Sequence, residues 1–516
     1  MPKIEFGTGG IRAEMGDAFG LMNKETVCIA TQGLANYLNS HNEGGAQISV
    51  CISYDSRNNS RYFAQLTRDV LCANGIKVYI FDDIRPTPEL SYAVRLKHSD
   101  AGVMITASHN PKEYNGYKVF GSDGAQVTSP VDTDIVTEVA RLSSIADCRL
   151  ESGNSAPYEV MGAEVDESYI TDILSLTLSP EARAAHSDLK IVYTPLHGCG
   201  RKLVPECLSR LGFKNVIHVP EQDVADGNFP TVVSPNPEEA SALKLALAKA
   251  EECGADLVLA TDPDADRMGI AVRDKDGKLL LFNGNQTASM LTYYILTRWE
   301  ELGKLKGEQY VVKTIVTTEL IREIAESFGL KVYDVLTGFK YIAEVVRRNE
   351  GKAEFVCGGE ESYGFNVGEY VRDKDAQIAC SMVAECAAWA AEQGLSLYDL
   401  MQKVYTEYGY RKEGLMSVVM KGDDGARKIR DIISELRANP PSQLCGSPVC
   451  KVIDYLRTDI TGMPSSNVLQ FFDEDGDVVT VRPSGTEPKI KFYFGAKGDN
   501  ADERLSALRQ QFAIGQ

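Results

Sequence analysis

The chain lacks the features that mark several large protein classes. Its 12 cysteines are scattered over 516 residues, none in a Cys-x-x-Cys pair, and only Cys445 and Cys450 lie closer than six residues apart. That spacing argues against a zinc or disulfide framework and for free thiols in a reducing compartment. Positive charge is also short: Lys plus Arg number 54 against 73 Asp plus Glu, a net charge of −19. A protein of nucleic-acid backbones or anionic membrane surfaces is therefore not expected. Small anionic substrates stay allowed, because a local cationic pocket can sit within a negative surface. No apolar run approaches the ~20 residues that a membrane span requires. Pro2-Lys3-Ile4-Glu5-Phe6 leads straight into glycines, with no pattern of a signal sequence. The expectation is a cytoplasmic protein with no nucleic-acid and no membrane partner.

What is present is length and alternation. A chain of 516 residues is too long for one core, and roughly three or four domains are expected. Strand-like and helical patterns alternate: a helix near 24–38, a strand near 47–53, a helix near 62–74, a strand at 77–81, and a helix opened by Pro86-Thr87-Pro88. This order predicts a mostly parallel, covered α/β sheet. Three times an alanine-led apolar strand delivers a polar loop, after Val103, after Val258 and after Val356. Similar local order in three blocks suggests a threefold repeat of one α/β domain. From about Lys412 the texture changes to short strands and a helix, the pattern of a smaller α+β domain. The expected divisions are 1–155, 156–282, 283–408 and 409–516.

Four loops carry the chemistry. The first, Ile105-Thr106-Ala107-Ser108-His109-Asn110-Pro111, follows a buried strand, and Pro111 turns it away from helix. Ser108 beside His109, with Lys118 ten residues on, is a candidate nucleophile or phosphoryl carrier. The second, Asp262-Pro263-Asp264-Ala265-Asp266, puts three carboxylates on one side of an extended segment. They repel one another unless a cation sits among them, and hard oxygen ligands suit Mg²⁺ or Ca²⁺. An EF-hand is excluded, because its sixth and twelfth positions would be Arg267 and Arg273. The third, Gly358-Gly359-Glu360-Glu361-Ser362, offers carboxylates for sugar hydroxyls or for acid/base work. The fourth, Arg482-Pro483-Ser484-Gly485-Thr486, joins a guanidinium to hydroxyls and backbone amides, equipment for binding a phosphate. Lys489 and Lys491 share a strand face beside it. Near the start, Phe6-Gly7-Thr8-Gly9-Gly10-Ile11-Arg12 reads as a glycine-rich turn that ends in a cation able to reach a phosphate.

These four loops, in this order and spacing, resemble those of the α-D-phosphohexomutase superfamily over nearly the whole chain. Thr194-Pro195-Leu196-His197-Gly198, Pro235-Asn236-Pro237-Glu238-Glu239 and Thr337-Gly338-Phe339-Lys340 resemble its branch of bacterial phosphoglucomutases and phosphoglucomutase-2-like enzymes. The resemblance implies three similar mixed-sheet α/β domains plus a smaller α+β domain around a central cleft. It implies an intramolecular phosphotransferase of the isomerase class. In it, phosphorylated Ser108, on Mg²⁺ held by Asp262, Asp264 and Asp266, exchanges a phosphoryl group with hexose or pentose phosphates through a bisphosphate, with glucose 1,6-bisphosphate as activator. Glu360, Ser362 and Lys340 are then substrate-binding candidates. Arg482, Ser484, Gly485, Thr486 and Lys491 would grip the non-reacting phosphate. Arg12, Arg267, His109, Lys118 and Lys374 would serve catalysis, the last three as acid/base candidates. The sugar loop continues Tyr363-Gly364-Phe365, which leans toward glucose phosphates. The start at the Gly7 motif lacks the family branch's usual N-terminal helical extension, which leaves monomer and homodimer both open. A phosphomannomutase, a phosphopentomutase, a metal-dependent sugar-phosphate phosphatase and a non-catalytic sensor are the competing readings.

Overall fold

A computed structural model of the chain describes residues 10–150, 155–420, 422–484 and 489–513. Four sheets organise it. In the first, the strands run in the order Gly10–Glu14, Tyr114–Gly121, Ala101–Ile105, Ser49–Tyr54, Lys77–Phe81 and Tyr158–Met161. Ser49–Tyr54 pairs in parallel with Lys77–Phe81 and Ala101–Ile105, as the alternation predicts. Ala101–Ile105, however, pairs antiparallel with Tyr114–Gly121. The sheet is therefore mixed, with three of its five pairings parallel. The strand Tyr158–Met161 joins the same sheet beyond residue 155. Arg12, expected in a turn, lies on the strand Gly10–Glu14 opposite Gly116.

The antiparallel return recurs twice. Leu257–Thr261 turns back as Met268–Arg273, and Glu354–Gly359 turns back as Phe365–Val367. Each loop thus connects a buried parallel strand to an antiparallel neighbour. Each contains a non-glycine residue in left-handed backbone: Ser108 (φ 53°), Ala265 (φ 48°) and Tyr363 (φ 66°). Such backbone is sparsely populated and persists only where surrounding contacts fix it. Its recurrence three or four residues past the strand in three hairpins is the clearest mark of the repeat.

One apolar core runs through the first three units, from Phe81 and Leu90 through Ile173 and Tyr193 to Tyr294 and Met382. At its centre lies the helix Ala376–Glu392, started by Asp375, whose side chain accepts from the N–H groups of Gln377 and Ile378. Its alanines let neighbouring helices approach closely. Glu385 on this helix is fully buried and accepts from the N–H groups of Leu178 and Ser179 at 2.8 Å and from Tyr294 Oη at 2.9 Å. Arg183 Nε lies 2.9 Å away. Glu385→Ala is expected to lower the stability of this joined unit by about 3–5 kcal/mol, because it leaves Arg183 and two buried amides without their acceptor. Denaturant titration followed by tryptophan fluorescence reads the change.

The fourth sheet, in the order Arg411–Val419, Lys489–Lys497, Val478–Pro483, Leu469–Asp473, Ser447–Asp454 and Gln443–Leu444, has its own core. It meets the third unit through Ile315, Leu336, Tyr455 and Val468. Glu323 adds ion pairs to Arg411 (2.6 Å) and Lys497 (2.8 Å).

Candidate active site

The Ser108 loop is held from beneath by Asp55 and Arg57, at the end of the strand beside it. The Arg57 guanidinium donates to the carbonyls of Ser108, Asn110, Pro111 (2.9 Å) and Tyr114 (3.0 Å). It pairs with Asp55 at 3.2 Å. Asp55 accepts from Thr106 Oγ1 at 2.6 Å and from Ser60 Oγ at 2.7 Å, and Thr106 Oγ1 accepts from the Ser108 N–H at 2.8 Å. The loop is thus fixed at both its amide and its carbonyl side, which sustains the left-handed Ser108. A Cβ on Gly116 would come within 2.4 Å of the Thr106 carbonyl, so the return strand needs glycine there.

Ser108 Oγ donates to Asp262 Oδ2 at 2.8 Å and lies 3.2 Å from His109 Nδ1. Burial, with Arg267 and Arg12 nearby, lowers His109 to about 2, so the ring is neutral. Asp262, Asp264 and Asp266 are buried, and one carboxylate oxygen of each lies within 4.8 Å of the others. Burial and its two neighbours push Asp262 well above the usual carboxylate range. Burial works the same way on Asp264, but Lys118 and Lys374 overcome it and hold that carboxyl below its ordinary value. Lys118 Nζ bonds Asp264 at 2.8 Å, and Lys374 Nζ lies 2.9 Å from Asp266. Burial alone would discharge Lys374; Asp266, Asp373 and Glu360 outweigh it and raise the ammonium above its usual range. The three acid/base candidates therefore differ in place: His109 touches Ser108, and the two lysines touch the aspartates.

Among the described residues, Asp264 Oδ1 and Asp266 Oδ1 are buried without a hydrogen-bond donor. Three convergent carboxylates, two of them with an undonated oxygen, fit a hard divalent cation. Thr87 Oγ1 reaches Asp264 Oδ2 at 2.9 Å from the first unit, so this cluster is braced across the seam.

A cleft of about 690 Å³ opens beside the cluster. His109, Arg12, Arg267 and Lys374 line one side, Glu360 and Ser362 a second, and Arg482 and Lys491 a third. Arg12 Nη1 donates to Asn110 Oδ1 at 3.3 Å. Arg267 Nη1 donates to Glu238 Oε1 at 3.1 Å. Glu360 accepts from the Gly338 N–H at 3.1 Å, and burial raises its carboxyl to about 7. Burial, then Lys489 and Arg482, lowers Lys491. Crowded cations of this kind gain from an anion between them. The Ser484 N–H donates to Lys489 O at 2.7 Å. Residues 6–9 of the opening glycine motif, Gly485 and Thr486 lie outside the described residues. Lys340 does not line this cleft; it lies on a second cavity between the first and third units.

Sequence reasoning had missed Asp55, Arg57, Thr87 and Glu238. Their signal was available in part: Tyr54-Asp55-Ser56-Arg57 also follows a fully buried strand, as the other loops do.

Comparisons with known proteins agree with this arrangement. Models of phosphoglucomutase/phosphomannomutase alpha/beta/alpha domains I, II and III match residues 3–146, 167–277 and 283–408, and the model of the C-terminal domain matches 421–513. A phosphoglucomutase of Staphylococcus haemolyticus is 36% identical over 515 residues, covering 97% of this chain and 92% of that protein. Pp63/parafusin of Paramecium, a phosphoglucomutase in its open form, superposes with a TM-score of 0.78 at 17% identity over 100% of this chain and 94% of that one. The N-acetylphosphoglucosamine mutase of Aspergillus fumigatus, solved in complex with glucose 1,6-bisphosphate, does so at 0.50 and 14%, over 93% and 98%. Among the described residues no helix is long and apolar enough to cross a membrane. With four domain models matched in order and the aspartate trio set against Ser108, the chain belongs to the phosphoglucomutase/phosphomannomutase family of phosphohexomutases.

Proposed function

We propose that the chain is a phosphoglucomutase, interconverting glucose 1-phosphate and glucose 6-phosphate through phosphorylated Ser108. One observation carries the reading: Ser108 Oγ sits 2.8 Å from a buried aspartate trio, next to His109 on the wall of a cleft whose other walls hold carboxylates and cations. In this reaction the Ser108 Oγ–P bond breaks as a bond forms from phosphorus to the free hydroxyl of a sugar monophosphate. The hydroxyl proton moves to a neutral acid/base group, as His109 is, and Ser108 Oγ leaves with a proton from a charged one, as Lys374 is, with Lys118 the third candidate. The bisphosphate turns in the cleft and returns its other phosphoryl group to Ser108. Glucose 1,6-bisphosphate is then the activator, since it can phosphorylate a bare Ser108.

Asp262, Asp264 and Asp266 would hold Mg²⁺ together with an oxygen on Ser108, and the bound ion supplies charge neutralisation at the transferring phosphoryl. Lys374, held charged, and Arg267 act on the same group. Glu360 and Ser362 accept and donate to sugar hydroxyls. Arg482, Ser484 and Lys491, with Gly485 and Thr486, hold the phosphate that does not react. This division explains why one site can treat both phosphates of the intermediate.

Coupled assays with bisphosphate present are expected to show the highest kcat/KM for glucose 1-phosphate, below it mannose 1-phosphate and ribose 1-phosphate. No turnover of glucose 1-phosphate overturns the glucose reading, and net release of inorganic phosphate would favour a phosphatase. Removing divalent ions with a chelator is expected to cut activity by about 10²-fold or more, with recovery on adding Mg²⁺. Activity that persists through chelation would contradict the metal role of the aspartates.

A further inference from the structure

A cavity of about 390 Å³ lies on the seam of the first and third units, apart from the residues assigned to catalysis. Apolar side chains, among them Leu34, Val119, Val127 and Ile135, form one wall. Ser122, Thr128 and Ser129 form a polar rim. The helix Phe339–Asn349 crosses the opening and contributes Lys340, Glu344 and Arg347. Arg347 is occupied by Asp123 at 3.3 Å. Lys340 is only 9% exposed; among the described residues its ammonium has no hydrogen bond and no ion pair, lies 5.2 Å from the face of Tyr341, and has the carboxylates of Asp132 and Glu344 nearby. A largely buried lysine whose ammonium has no fixed acceptor gains when an anion meets it.

We propose that this cavity is a binding site for a small organic anion with a single phosphate or carboxylate group, that group on Lys340 and its uncharged body against the apolar wall. The charge count limits the ligand. Glu344 and Asp100 also line the cavity, and Asp132 acts on Lys340 from nearby. A bisphosphate would bring its second anionic group against these carboxylates, whereas a single anionic group can lie on Lys340 alone. The site also has a route to the cleft. Lys340 is two residues from Gly338, whose N–H holds Glu360, and Gln126 lines both cavities. The site thus lies beside the backbone that holds Glu360.

The test uses the full chain and reads binding without turnover. Phenyl phosphate and benzoate serve as probes in calorimetric titrations of the wild type, Lys340→Met, Lys340→Arg and an Arg482→Ala/Lys491→Ala double variant. Thermal melting checks that each variant is folded. The double variant is expected to keep one binding event for the preferred probe, at wild-type affinity. Lys340→Met is expected to lose that event, weakening it by at least about tenfold, and Lys340→Arg to retain it. The stronger of the two probes identifies the anionic group. Binding confined to the cleft, lost in the double variant and unchanged in Lys340→Met, overturns the proposal, as does no binding of either probe outside the cleft.

Discussion

Ser108→Ala is expected to lower mutase turnover by a factor on the order of 10⁴ or more, while the protein stays folded. The hydroxyl is the only group lost, and its hydrogen bonds to Asp262 and His109 are replaceable by water or an ion. The backbone of the loop does not depend on it, because Asp55 and Arg57 hold the flanking amides and carbonyls. The left-handed conformation at residue 108 is a modest cost that alanine bears as serine does. Sugar-phosphate binding should therefore persist in the variant, while intact mass spectrometry should no longer show a species heavier by one phosphoryl group. A variant with wild-type kcat would remove Ser108 from the reaction altogether.

The second large effect is expected at Arg57, which touches no substrate. Arg57→Leu removes four hydrogen bonds to the Ser108 loop and leaves Asp55 buried without its cation. Two consequences follow from different causes. Stability falls by about 3–5 kcal/mol, because half of a buried ion pair is gone. Separately, kcat falls by about 10²-fold, because a loop displaced by an ångström no longer presents Ser108 Oγ to the aspartates. KM changes little, since Glu360, Arg482 and Lys491 stand on other units. Arg57→Lys should not restore kcat: a point ammonium cannot serve the acid and several diverging carbonyls together. Kinetics at saturating glucose 1-phosphate, with thermal unfolding of the same samples, separate the two effects. Full activity of Arg57→Lys would reduce Arg57 to a structural ion pair.

These two cases also show where sequence reasoning reaches and where it stops. Asp262, Asp264 and Asp266 were legible because three acids directly after a fully buried strand make no sense without a cation. Ser108 was legible for a related reason, an abrupt switch from Ala101–Ile105 to hydroxyl and imidazole. The three hairpins share a strand, a polar loop and a turn residue, so the repeat showed through weak identity. Arg57 was not legible, since an arginine four residues past a strand reads as surface charge. Its role comes from register: Ser49–Tyr54 and Ala101–Ile105 pair in parallel and end side by side, 51 residues apart in sequence. Tyr114–Gly121 was hidden too, because Asn115, Gly116 and Lys118 do not look like a strand. It forms from its two neighbours, and in doing so carries Lys118 to Asp264. Motif resemblance groups Lys340 with the substrate; in the structure it lines a different cavity.

The central claim is that Ser108 carries a phosphoryl group between the two ends of one sugar. The most direct measurement is a single-turnover chase: enzyme labelled with radioactive phosphoryl on Ser108 is mixed with unlabelled glucose 1-phosphate, and the label is followed by chromatography. Label leaving the protein and appearing first in glucose 1,6-bisphosphate, then in the pooled hexose monophosphates, is the predicted result. Label that stays on the protein, or that appears only as inorganic phosphate, would contradict it.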